Sequence, residues 1–81
     1  MQKRARLESI SRGFGGDSAT YLGTEEFIVV TVDWALLSPF CTKVFVNGKE
    51  IAVFDDARYV QPVESLQRCG YEVSGSVDFA Y

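Results

Sequence analysis

The chain has 81 residues, 47% apolar and 23% charged, with a formal charge of −3 and no histidine. That composition describes one small globular domain and excludes a disordered chain, and no apolar run reaches the length of a membrane-spanning helix. The absent histidine takes away the usual general base and the commonest metal ligand.

Charge is unevenly spread from the start. Residues 1–12 hold Lys3, Arg4, Arg6 and Arg12 against Glu8 alone, giving +3, while residues 13–81 carry −6. Ser, Arg and Gly follow the first cations where a secretory signal needs an apolar stretch, so the expected location is cytoplasmic, host cytoplasm if the chain is viral. Leu7, Ile10 and Phe14 fall at i, i+3 and i+7, one helical face. Against a helix, three of the cations sit in what would be its first turn, where the helix dipole disfavours them. Residues 13–18 contain three glycines and read as a hinge. The organisation is therefore a basic arm or short helix over 1–12, a Gly-rich hinge over 13–18, and a single α+β domain over 19–81.

Phe27 to Trp34 is dense in β-branched and aromatic residues and reads as a strand apolar on both faces, as central strands are. A weaker strand, Ala19 to Leu22, precedes it. Ser38-Pro39 marks a turn or irregular connection. Next comes the sharpest local signal, two apolar runs on either side of Asn47-Gly48. That dipeptide supplies the two positive-φ residues of a type I′ hairpin. A two-residue loop sets Val46 against Lys49, Val44 against Ile51 and Thr42 against Val53. Cys41, Phe45, Ala52 and Phe54 then share the opposite face; a Gly bulge would shift this register by one.

Pro62–Cys69 reads as a short helix, with proline at its first position, Glu64 and Arg68 spaced i, i+4, and Gly70 as its left-handed cap. From Tyr71 to Tyr81 apolar and polar residues alternate, which predicts a strand with one wet face, bent at Gly75. The sum is an α+β fold: a four- or five-stranded, mainly antiparallel sheet with one short helix and room for an N-terminal one.

Chemistry-bearing patterns are sparse. Gly16-Asp17-Ser18 has the look of a hydrolase nucleophile block but has no histidine to take the serine proton. Arg12-Gly13-Phe14-Gly15 matches the start of an RNA-recognition motif, yet Gly16-Asp17 follows where a strand should continue. No phosphate loop or zinc spacing is present. Glu25-Glu26 and Asp55-Asp56 are adjacent pairs that strands would point to opposite faces. Cys41 and Cys69 are expected as reduced thiols. No enzyme, cofactor or metal site is expected.

The leading reading is a non-catalytic protein–protein interaction protein of the inhibitor or adaptor type, a profile shared by phage-encoded proteins directed at host machinery. Its partner is a larger protein or complex, bound through Phe45, Phe54, Asp55 and Asp56. The alternative is a small nucleic-acid-binding domain using Lys3, Arg4, Arg6, Arg12 and Phe14. A homodimeric structural subunit is the third.

Overall fold

A computed structural model describes residues 3–13, 16–35, 38–55 and 60–75. Among these residues are six strands and one helix: β1 Lys3–Gly13, β2 Gly16–Leu22, β3 Phe27–Ala35, β4 Ser38–Val46, β5 Lys49–Phe54, α1 Pro62–Arg68 and β6 Tyr71–Ser74. The six strands form one sheet in the order β5-β4-β3-β2-β1-β6. Neighbours from β1 to β5 pair antiparallel, as a meander of short connections requires, and β6 pairs parallel with β1. The sheet thus has more strands than expected and is mixed.

The expected N-terminal helix is instead β1. Its pairing with β2 slips between Leu7 and Ser9, so the strand carries one extra residue there. That bulge puts Leu7 and Ile10 on the same face three residues apart, a spacing that imitates a helix. The supposed hinge is the end of the β1–β2 hairpin: Gly13 pairs with Gly16, and Asp17 and Ser18 belong to β2. Ser38 and Pro39 do not break the chain either. They open β4, where the register slips beside Trp34, and a bulge is a place where a strand tolerates proline.

The β4–β5 hairpin turns through Asn47 (φ 51°) and Gly48 (φ 84°), as the dipeptide predicts. Val46 pairs with Lys49, but a bulge between Val44 and Phe45 shifts the rest of β5 by one residue. Val44 therefore pairs with Ala52 and Thr42 with Phe54, so Ala52 and Phe54 leave the face that Phe45 occupies.

Helix α1 has only seven residues, too few to be stable alone. It is held by burial of Pro62, Ser65 and Leu66 and by Gly70, whose φ of 92° closes the helix end. The Thr42 hydroxyl donates to the Val60 carbonyl at 2.9 Å, pinning the entry to the helix on β4. Because β5 and β6 lie at opposite edges, the link between them has to cross the sheet. The helix does so on one face, packing on β6, β4 and β3. Under it lies the core: Ala5, Ala19, Tyr21, Ile28, Val30, Val32, Val44, Leu66 and Tyr71.

Tyr71 and Val73 alternate with exposed Glu72 and Ser74, as the C-terminal pattern predicts, and Gly75 has φ 71°. Residues 76–81 of that expected strand lie outside the described residues.

Candidate interaction face

The strand registers sort every side chain to one face or the other. Ile28, Val30 and Val32 lie beneath the helix and are fully buried, so Phe27, Val29, Thr31 and Asp33 project from the opposite, outer face. Pairing carries this assignment across the sheet. Leu22 is opposite Phe27; Thr20 and Phe45 flank Val29; Ser18 and Lys43 flank Thr31; Asp33 is opposite Cys41. On the edge strand, Glu50 pairs with Phe45 and Val53 with Lys43. The bulge leaves Ile51 beside Glu50, and alternation with Val53 places it on the outer face as well.

The outer face is divided. Toward β1 and β2 it carries Ser9, Ser11, Ser18 and Thr20, with Arg4 and Arg6 at the start of β1. Toward β5 it carries a contiguous apolar group: Leu22, Phe27, Val29, Phe45, Ile51 and Val53. Phe27 is 51% exposed, Ile51 47% and Val53 43%. Phe45, Val29 and Leu22 are half-buried by their neighbours. No helix or strand among the described residues packs on this face. Ile10, also exposed, pairs with Ala19 and belongs to the helix side.

Phe27 is held firmly for an exposed aromatic. Its backbone N–H donates to Asn47 Oδ1 at 2.9 Å, and its carbonyl accepts from the Asn47 N–H at 2.8 Å. The hairpin turn thus fixes the end of β3, and the ring starts from a preorganised backbone.

The expected partner-binding residues do not form one site. Phe45 lies in the outer patch. Phe54 lies on the helix side, half-buried against the core, with the Arg68 guanidinium 5.6 Å from its ring centre. Asp55 is exposed just beyond β5, and Asp56 lies outside the described residues. Phe27, Ile51 and Val53 were not singled out by the sequence reading. Their signal is the apolar content of both faces of β3, the mark of a central strand, which does not tell which face the helix leaves open.

The basic residues of the alternative reading are distributed along β1 and already have acidic neighbours. Lys3 lies 3.5 Å from Glu26, Arg4 4.0 Å from Glu72, Arg6 3.8 Å from Glu8, and Arg12 3.5 Å from the buried Asp17. Lys43 pairs with Asp33 and Arg68 with Glu64. Phe14 lies outside the described residues. Among the described residues, Lys49 is the one cation without an acidic partner.

Titration shifts follow burial. Tyr71 is pushed up to about 12, first by burial and then by the bond its hydroxyl donates to Glu26 Oε1 at 2.9 Å. Burial also raises the thiols of Cys41 and Cys69, both free. Among the described residues no group of three or more His, Cys, Asp or Glu side chains converges on a metal position.

No family model matches this chain, and no curated protein or solved structure does either.

Proposed function

We propose that this chain is a small non-catalytic protein that works by occupying a surface on a larger protein, in the manner of an inhibitor or adaptor. The supporting observation is the exposed apolar group on the outer face, on which no helix or strand among the described residues packs. Exposed apolar side chains are ordinary when scattered, but Phe27, Phe45, Ile51 and Val53 are neighbours on three adjacent strands. Contiguous apolar surface of this kind marks interaction sites. Aromatic residues on a rigid backbone are the usual anchors of protein interfaces.

Nucleic-acid binding is the weaker reading. Phosphate contacts draw on cations free to release counterions, and Lys3, Arg4, Arg6 and Arg12 each already face a carboxylate.

The test is retention of host proteins on the immobilised chain, compared with Phe27→Ser and Phe45→Ser variants whose amide spectra show an intact fold. A specific protein should be retained by the parent and lost from both variants. Equal retention by the variants would overturn the reading.

A further inference from the structure

The outer face also points to the chemistry of what it binds, an inference that rests on the protein-docking reading above. After the six ion pairs are assigned, the carboxylates left without a cation among the described residues are Glu25, Glu50 and Asp55. Two of the three border the apolar group: Glu50 is opposite Phe45 and beside Ile51, and Asp55 lies two residues beyond Val53. Of the cations near this corner, Lys43 is paired with Asp33 and Arg6 with Glu8, and Lys49 pairs with Val46 on the helix side; that leaves Glu50 and Asp55 as the unpaired charges beside the apolar group on the outer face. Acids without partners beside apolar surface are complementary to a cationic, apolar ligand.

Size narrows the occupant. From β5 to β2 are three strand spacings, about 14 Å. That width seats one α-helix of about 10–12 Å diameter. Six apolar side chains fall well short of the roughly 20–30 residues a side engaged by a stable pair of globular domains, which argues against a second copy of this chain. Strand addition to β5 is disfavoured as well, because the bulge at Glu50 and Ile51 interrupts the edge that an incoming strand would follow.

We propose that the outer face over β3, β4 and β5 receives an amphipathic helix of its partner protein, with Lys or Arg flanking the helix's apolar stripe. The apolar stripe rests on Phe27, Phe45, Ile51 and Val53, and the basic flank faces Glu50 and Asp55.

Two synthetic amphipathic peptides of about 14 residues, one built of Leu and Lys and one of Leu and Glu, test this by amide-resolved NMR titration of the full chain. The Leu/Lys peptide is expected to shift the amides of β4, β5 and Phe27. Joint reversal, Glu50→Lys with Asp55→Lys, should weaken it at least about tenfold; both residues are exposed, and an unchanged spectrum elsewhere confirms the fold. The Leu/Glu peptide should prefer the reversed variant. If the Leu/Glu peptide binds the parent chain on this face as well as the Leu/Lys peptide does, the charge assignment is wrong while protein docking stands. Should neither peptide perturb the face, the helix assignment falls, while the docking reading is decided by the retention experiment above.

Discussion

Phe27 and Phe45 share the outer face, whereas Phe54, on the neighbouring strand β5, belongs to the helix side. Phe54 packs on the core margin and under Arg68, so Phe54→Ala should cost about 2 kcal/mol in urea unfolding and leave partner retention unchanged. Phe27→Ser, at an exposed position, should cost about 1 kcal/mol or less and abolish retention. The opposite pattern would place the interaction on the helix side. Tyr71 offers a second test. Its folded pKa of about 12 lies above a phenol's ordinary value of about 10, because the folded state favours the neutral phenol. Its stabilising contribution is therefore complete below pH 10 and declines as pH rises through 12. Tyr71→Phe removes the hydroxyl that donates to Glu26 and should cost about 1–2 kcal/mol at neutral pH. The variant should also lose that part of the alkaline dependence, as read from unfolding free energies between pH 8 and the alkaline limit.

Among the elements, those with strong local chemistry were legible: β3 from its β-branched density, the β4–β5 turn from Asn-Gly, and α1 from its leading proline and trailing glycine. What local reading could not supply was register. The bulge in β1 spaced Leu7 and Ile10 like a helix, and the cations at its start were the sequence's own signal against one. The bulge in β5 moved Phe54 away from Phe45, splitting the candidate site. The β1–β6 pair joins Lys3 to Tyr71, a contact between chain ends that no short-range pattern encodes. Phe45 was named as a candidate and lies on the outer face; Phe27 was not, because nothing in β3 says which of its apolar faces α1 will leave open. The turn itself gives an element-scale prediction. Gly48 has open space where a Cβ would go, so Gly48→Ala should cost only the left-handed backbone penalty, about 1 kcal/mol. Asn47→Ala pays a similar penalty and also loses the Oδ1 acceptor for the Phe27 N–H. It should cost about 1–2 kcal/mol more than an exposed-site control and weaken partner binding by loosening the Phe27 anchor. Equal binding by both variants would show that the turn does not preorganise the face.

At the level of the whole molecule, β1 is the strand on which closure of the fold depends. It lies between β2 and β6 and contributes Ala5 to the core; Lys3 meets Glu26 and lies 5.6 Å over the Tyr71 ring. A terminal cationic arm is dispensable, whereas an interior strand is not. Deleting residues 1–12 should therefore abolish cooperative unfolding and collapse the amide spectrum, since β6 loses its paired neighbour and Tyr21 and Tyr71 lose cover. Charge can be tested without removing the strand. Arg4 and Arg6 are exposed and belong to the outer face, so Arg4→Glu with Arg6→Glu should retain the fold and shift stability by less than about 1 kcal/mol, as surface ion pairs do. With the fold kept, electrophoretic mobility of single-stranded and duplex probes separates the two functional readings. The parent chain should give no shift near 0.15 M salt, where unpaired cations would be needed to compete with counterions. A shift in the parent that vanishes in the double reversal would make β1 a phosphate-binding strand and move the function from protein docking to nucleic-acid binding.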